Sequence, residues 1–408
     1  MEVHCLKYVV IVGDGMADEP RPELGGVTPL EYARTPHFDF LAARGEMGRC
    51  VTVPEGFPAG SDVANLSVMG YDPSRHYTGR SPLEAVSMGV ELNDQDVAFR
   101  CNLVTLSDEP DYTRKRMIDY SAGEISTVEA RELVSFLGER LGNEKFRFFG
   151  GISYRHLLVW REGEDRTQLT PPHDISDRVV TDYLPAGAGG TELLALMQES
   201  NRLLADHPVN VRRCEQGKNP ANSVWFWGQG RRPSLPLFRD KYGVDGAVIS
   251  AVDLIKGIGL CAGLRVIEVE GATGTITTNF RGKGVAALDA LSGGDDFVLV
   301  HIEAPDEAGH QGDLETKVKA IEEIDEKVLG EVLRGMQDFP RYRMLVLPDH
   351  PTPLSLRTHT ADPVPFVVYQ NTDGESRPGR TFTERSAVSS PLYFQLGYRL
   401  MDYFFSVP

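Results

Sequence analysis

Three apolar runs in this 408-residue chain stop just short of a carboxylate, and that recurrence restricts the fold more than any other feature. Tyr8 to Val12 runs into Gly13-Asp14-Gly15-Met16, Asp296 to Ile302 into Glu303-Ala304-Pro305-Asp306, and Arg343 to Leu347 into Pro348-Asp349-His350. A short run that is apolar on successive residues is hidden on both faces, as in a parallel sheet covered by helices. Open α/β sheets take their ligands beyond the carboxyl ends of their strands, which is where these polar residues fall. The intervening sequence supplies helices at Thr35 to Gly45, Val248 to Leu260, Gly282 to Leu291 and Leu314 to Arg334, the first with proline in its opening turn and glycine after its last. Gly48 to Val53 and Arg265 to Val269 read as further strands. The expected class is α/β, a mostly parallel sheet flanked by helices.

Between about Leu92 and Arg232 the texture changes. Strand-like runs at Val97 to Leu106 and Leu157 to Trp160 alternate with amphipathic helices at Ser126 to Leu141 and Gly190 to Ala205, and Lys218 to Gly230 is an aromatic-rich strand with a following loop. This predicts a smaller α+β domain inserted at residues 93–232, with 1–92 and 233–408 forming a discontinuous outer domain. Trp225 is expected in the core of the insert rather than in a substrate wall.

Pro58-Ala59-Gly60-Ser61-Asp62-Val63-Ala64-Asn65 is a small-residue loop whose serine opens a helix expected over Asp62 to Met69. A hydroxyl there faces unpaired backbone N–H groups and the positive end of the helix dipole, a place suited to a phosphate. Serine is also a preferred helix cap, and on the octet alone the cap is the commoner role. Asp306 and His310, four apart, share one helical face. With Asp14, Ser61, Asp349, His350 and His359 they make a set of hard and borderline ligands gathered at one sheet edge. Each has an ordinary reading as a turn or surface residue, but together they point to a two-metal site for in-line phosphoryl transfer. A net charge of -17 excludes a general nucleic-acid or anionic-membrane surface, so an anionic substrate needs local positive charge of the kind bound metals supply. Cys5, Cys50, Cys101, Cys214 and Cys261 are widely spaced with no C-x-x-C pair, which argues against a disulfide framework or zinc knuckle and for a reducing cytosol. Neither a signal peptide nor a membrane span is expected.

Gly13-Asp14-Gly15, Gly60-Ser61-Asp62, Asp306-x-x-x-His310, Pro348-Asp349-His350 and His359 follow the order of the alkaline-phosphatase superfamily. Within it the chain resembles the cofactor-independent phosphoglycerate mutases of archaeal type, a likeness that also covers Leu24 to Leu30, Val97 to Asn102 and Asp253 to Gly257. The resemblance implies one metal on Asp14, Ser61, Asp349 and His350 and a second on Asp306, His310 and His359. Manganese is the usual ion, with magnesium, cobalt or zinc as alternatives. It implies a nucleophilic Ser61 that takes the phosphoryl group from one oxygen of phosphoglycerate and returns it to the other, so that 3- and 2-phosphoglycerate interconvert without 2,3-bisphosphoglycerate. The insert would grip this small phosphorylated metabolite, and Arg100, Asn102 and Arg155 within it and Lys256 outside it are the candidates. Departures fall in the insert: Ile118-Asp119-Tyr120-Ser121-Ala122-Gly123-Glu124 stands where archaeal mutases carry an arginine-rich stretch, and Trp227 is near another expected arginine. They keep a homoserine kinase of the same machinery as the alternative, ahead of a metal-dependent phosphatase or a non-catalytic binding protein. The absence of a G-x-x-x-x-G-K-[ST] loop favours the mutase.

Overall fold

The computed structural model describes residues 6–371 and 376–406. Cys5 lies outside them, and Cys50, Cys101, Cys214 and Cys261 are free thiols. Along the chain the strands are β1 (Lys7–Gly13), β2 (Glu46–Cys50), β3 (Val97–Leu106), β4 (Met117–Asp119), β5 (Phe146–Ile152), β6 (Arg155–Trp160), β7 (Ser223–Arg231), β8 (Gly246–Ile249), β9 (Arg265–Ile267), β10 (Phe297–Ile302), β11 (Tyr342–Leu347), β12 (Val364–Gln370) and β13 (Tyr393–Phe394). The helices that matter below are α1 (Pro36–Arg44), α2 (Ser61–Val68), α3 (Ser81–Ser87), α4 (Thr127–Leu141), α5 (Gly190–Leu204), α6 (Asp253–Cys261), α7 (Phe280–Ser292), α8 (Ala304–Gln311) and α9 (Leu314–Glu323). Among the described residues no helix is long and apolar enough to cross a membrane. The chain divides into two compact units, residues 1–77 with 234–408 and residues 78–233.

The first unit is built on an eight-stranded sheet of order β13-β2-β12-β11-β1-β10-β8-β9. From β11 to β9 the strands are parallel, and β12 runs against both its neighbours. The central runs Val9 to Val12, Phe297 to Val300 and Met344 to Leu347 are buried throughout, which is why they are apolar on successive residues. Each such side chain contributes about 1.5–3 kcal/mol.

Several boundaries differ from the sequence reading. Val248 begins no helix: it lies in β8, and α6 starts only at Asp253. An apolar run this short fits either element, and the break comes from Ser250, whose Oγ accepts the Val252 N–H at 3.0 Å. The second strand ends at Cys50 instead of Val53. β12 contains Pro365, which is atypical of a strand paired on both sides and hid it from sequence patterning. The long helix expected to Arg334 is α9 followed by a π-helical turn at Ile324–Leu329 and a helix at Gly330–Gly335. The π turn carries Asp325, whose carboxylate accepts the N–H groups of His37 and Phe38 at 3.2 and 2.7 Å. Thr35 makes no side-chain cap on α1, and Asp325 does that work from the other end of the chain.

The second unit is an antiparallel sheet of order β4-β3-β6-β5, with β7 also paired to β3. Leu133, Val134 and Leu137 of α4 and Leu193 and Met197 of α5 close its core against Phe99, Leu103 and Trp225. Trp225 is 1% exposed, and its indole N–H donates to the Thr170 carbonyl at 2.8 Å. Residues 78–92, which sequence texture left with the outer segments, belong to this unit: Ala85, Val90 and Leu92 pack on Ala98, Leu157 and Val159.

His156 on β6 is fully enclosed, its Nδ1 accepting the Gly151 N–H at 3.0 Å and its Nε2 without a partner. Burial pushes the imidazole down from 6.5 to about 3. The folded chain therefore keeps His156 neutral where the unfolded chain binds a proton, so stability present above pH 6.5 is lost as pH falls toward 3. The expected slope is roughly 1.4 kcal/mol per pH unit. Denaturant melts between pH 4 and 7 should show a shallower slope in His156→Asn, and an unchanged slope would remove His156 as the cause.

Candidate functional site

Three adjacent parallel strands, β11, β1 and β10, end at one edge of the sheet, with Val12 in register with both His301 and Leu347. Asp14 follows β1, its N–H extending the ladder to the Ile302 carbonyl at 2.9 Å. Asp349 and His350 follow β11, and Asp306 sits in the first turn of α8. One helical turn on, His310 brings its Nε2 to 3.3 Å from Asp306 Oδ2. His359 comes in from a loop, its Nε2 lying 2.9 Å from His310 Nε2 and 3.3 Å from Asp306 Oδ1. His350 Nε2 is 3.4 Å from both Asp14 Oδ1 and Asp349 Oδ2. Asp14, Asp349 and His350 form one triad and Asp306, His350 and His359 another, each with its donor atoms within 4.8 Å of one another.

Ser61 is the first residue of α2; the cap position belongs to Gly60, and no side chain caps the helix. The Ser61 hydroxyl points instead at His350 Nε2, 3.0 Å away. The structure thus brings the seven ligand candidates together and removes the ordinary capping role from Ser61.

The charges are arranged for a cation. Burial, then the neighbouring carboxylates Asp349, Asp306 and Glu303, raise the Asp14 carboxyl well above the usual range. Burial also acts on Asp306, but hydrogen bonds from His310 and His359 outweigh it and hold that carboxyl well below the range. Against the pull of burial, Asp306 raises His310 to about 9. Three imidazoles are oriented alike. His310 Nδ1 lies 3.0 Å from the carbonyl of Arg357, a residue held at φ 56°. His359 Nδ1 is 3.3 Å from the Ala59 carbonyl, and His350 Nδ1 is 3.3 Å from Thr352 Oγ1. A carbonyl accepts only, so it takes the Nδ1–H and leaves Nε2 as the atom that faces the carboxylates. The Nε2 atoms converge on carboxylate oxygens, among them Asp14 Oδ1, which is buried with no hydrogen-bond partner. Such a mixed nitrogen and oxygen donor set fits a divalent cation.

Other residues complete the site. Asn65, one helical turn from Ser61, donates its amide to Asp349 Oδ2 at 2.7 Å and to the Ser61 carbonyl at 2.9 Å; the four-residue spacing was the only sequence signal for it. The Gly15 N–H donates to Asp349 Oδ1 at 3.0 Å from a φ of +60°, and a Cβ there would lie 2.5 Å from Asp306 Oδ1. His301 Nε2 is 3.1 Å from Asp14 Oδ2, and burial pushes this imidazole down to about 4. Lys283 on α7 donates to the His301 carbonyl at 3.0 Å, and burial lowers it to about 8 against the pull of Glu303 and Asp14.

The second unit holds its own polar group. Arg100 on β3 is buried, with its Nε 3.3 Å from Glu84 Oε2 and its guanidinium 4.8 Å above the Trp227 ring. Arg80 donates to the other oxygen of Glu84 at 2.9 Å. Burial, opposed by Glu84 and reinforced by Arg80 and Arg155, pushes Arg100 down to about 10. Arg155 is exposed, opposite Asn102 in the β3–β6 register, and among the described residues has no carboxylate at ion-pair distance. Asn102 is engaged within the fold: its Oδ1 accepts the Trp227 indole N–H at 3.0 Å and its Nδ2 donates to the Tyr120 carbonyl at 3.2 Å. Lys256 lies in the first unit, on α6, and its ammonium is paired with Glu268 at 2.8 Å. The Ile118 to Glu124 stretch forms a turn around Asp119, which accepts the N–H groups of Ser121 and Gly123 at 2.8 and 2.7 Å.

The sequence profile of the family described as 2,3-bisphosphoglycerate-independent phosphoglycerate mutase matches residues 42–210. A protein of Geobacter sulfurreducens named a probable 2,3-bisphosphoglycerate-independent phosphoglycerate mutase is 55% identical over 397 residues, covering 97% of this chain and 99% of its own. The 2,3-bisphosphoglycerate-independent phosphoglycerate mutase of Methanosarcina barkeri is 52% identical over 390 residues, covering 95% and 96%. The solved structure of a cofactor-independent phosphoglycerate mutase from Thermoplasma acidophilum superposes with a TM-score of 0.63 at 29% identity, covering 98% of each chain.

Proposed function

The chain belongs to the 2,3-bisphosphoglycerate-independent phosphoglycerate mutases, and on that premise we propose that Ser61 carries the phosphoryl group between the two oxygens of phosphoglycerate. Its substrate as a mutase is a small phosphorylated metabolite. The homoserine-kinase alternative is withdrawn, because relatives aligned over almost the entire chain bear the mutase name.

One observation carries the reading of Ser61: its hydroxyl opens α2 and stands 3.0 Å from His350 Nε2, where the two donor triads meet. The N-terminus of α2, with its dipole, favours a phosphoryl group at that oxygen. In the first half-reaction the Ser61 Oγ–P bond forms as the substrate's P–O bond breaks; in the second the glycerate returns with its other hydroxyl and the bonds exchange in reverse. No water is consumed, so the site must keep it out. Asp14, Ser61, Asp349 and His350 would hold one divalent ion and Asp306, His310 and His359 a second, manganese being the ion that the resemblance implies and magnesium, cobalt or zinc its alternatives. Bound there, such ions neutralise charge on the transferring group and favour the serine alkoxide.

For the glycerate end we assign the guanidinium group of the inserted unit. Arg80, Arg100 and Arg155 gather positive charge around the carboxylate of Glu84, an arrangement suited to a substrate carboxylate or phosphate. Asn102 supports this group by fixing Trp227, the ring on which Arg100 rests. Lys256 remains a candidate for the first unit once Glu268 releases it. A cytoplasmic location fits the free thiols.

The test is an assay of purified protein with 3-phosphoglycerate and manganese, run beside ATP plus L-homoserine and a generic phosphate monoester. Formation of 2-phosphoglycerate without added bisphosphoglycerate is expected. Release of free phosphate alone, with no isomerisation, would overturn the reading.

A further inference from the structure

Thr352 lies between the two donor triads and is a member of neither. Its Oγ1 is 2.5 Å from Asp306 Oδ1 and 3.3 Å from His350 Nδ1. A hydroxyl has one proton to give, and a carboxylate only accepts, so the proton points to Asp306 and the lone pair of Oγ1 is left for the Nδ1–H of His350. That fixes the tautomer of His350. Its Nε2 is then the bare nitrogen, and it is the atom 3.0 Å from Ser61 Oγ and 3.4 Å from Asp14 and Asp349. The opposite tautomer would put a proton where a cation has to sit. The same hydroxyl joins Asp306 of one triad to the histidine that the triads share.

The chain around Thr352 is held unusually firmly. Its N–H donates to the Ala17 carbonyl at 3.2 Å and its carbonyl accepts from Lys317 at 2.7 Å. Lys317 is wholly buried and also reaches Asp18 Oδ2 at 2.6 Å and the Ala17 carbonyl at 3.4 Å, which accounts for all three ammonium protons. Asp18 in turn accepts the Leu354 N–H at 3.2 Å, so the backbone is pinned on both sides of Thr352. A dry ion pair of this kind adds little net stability against a well-packed apolar pair, and its better-attested use is to hold one arrangement. The side chain is confined too: a Cβ on Gly309 of α8 would lie 2.8 Å from Thr352 Cγ2.

We propose that Thr352 is a positioning residue which, through its hydroxyl, selects the cation-binding tautomer of His350 and aligns it with Asp306; this rests on the metal reading above. The hydroxyl, and not the bulk of the side chain, is the active feature. The test is calorimetric titration of manganese chloride into chelator-stripped wild type, Thr352→Val, Thr352→Ala and Thr352→Ser, with a thermal melt of each metal-free protein. Losing an outer hydrogen bond of this type weakens metal binding about 10–100-fold. Thr352→Val and Thr352→Ala should each show such a loss with melts close to wild type, and Thr352→Ser should restore binding to within about threefold. Wild-type affinity in Thr352→Val or Thr352→Ala overturns the proposal, and so does a Thr352→Ser as weak as Thr352→Val, which would assign the loss to packing. A wild type that takes up no manganese would instead remove the metal reading itself.

Discussion

Ser61→Ala is expected to lower kcat for phosphoglycerate interconversion by roughly 10⁴-fold or more, the scale on which loss of a nucleophile acts. The fold should survive. Because Gly60 occupies the cap position of α2 and the Ser61 hydroxyl makes no capping bond, the usual cap loss of about 1 kcal/mol does not apply. Asn65 keeps its bonds to the Ser61 carbonyl and to Asp349, neither of which involves the hydroxyl. The loss should fall on kcat with little change in KM, since the Ser61 oxygen acts in bond exchange while Arg80, Arg100 and Arg155 are assigned to ground-state binding. A coupled enolase assay gives the rates, and peptide mass spectrometry after rapid acid quench should find phosphate on the Ser61 peptide in wild type only. A variant that retains more than a tenth of wild-type kcat would place the nucleophile elsewhere.

The parts of this site that a sequence displays are those fixed by short-range order. Asp14, Asp349 and His350 announce themselves because an apolar run stops just before them, and parallel pairing of β1 with β10 and β11 brings such stops to one edge. Asp306 and His310 are visible from helical spacing alone. What surrounds them depends on partners far away in the chain. Asn65 meets Asp349 across 284 residues and Lys317 meets Asp18 across 299, and no local pattern marks either pair. The nitrogen that each histidine offers is set by Arg357, Ala59 and Thr352, two carbonyls and a hydroxyl with no sequence signature. The same limit explains the misplaced start of the helix at Val248, where three apolar residues satisfy both periods. In the insert Arg100 and Arg155 were legible but Arg80 and the counter-ion Glu84 were not, because both lie within residues 78–92, a segment whose texture resembles the outer unit.

Stripping divalent ions from the purified protein is expected to abolish mutase turnover and to lower its melting temperature, both reversibly. The reason is the crowding of acceptors: Asp14, Asp306 and Asp349 are buried close together beside His310, His350 and His359, where a cation would relieve the repulsion among them. Burial and the carboxylates of Asp349 and Asp306 raise Asp14, so the metal-free fold keeps a proton there that the unfolded chain gives up. A raised carboxyl favours the fold below its unfolded value and loses that contribution as pH climbs through the folded one, so the contribution of Asp14 to the metal-free fold declines as pH rises. A bound cation reverses this by taking the proton's place, and its binding must release protons and strengthen with rising pH. At free ion about 1,000 times Kd the added stability is about 4 kcal/mol. Calorimetry in two buffers of different ionisation enthalpy measures the proton release, and parallel melts at pH 6 and pH 8 should show the larger metal-induced shift at pH 8. Full activity after exhaustive chelation, or ion binding with no proton released, would show that these residues serve a different chemistry.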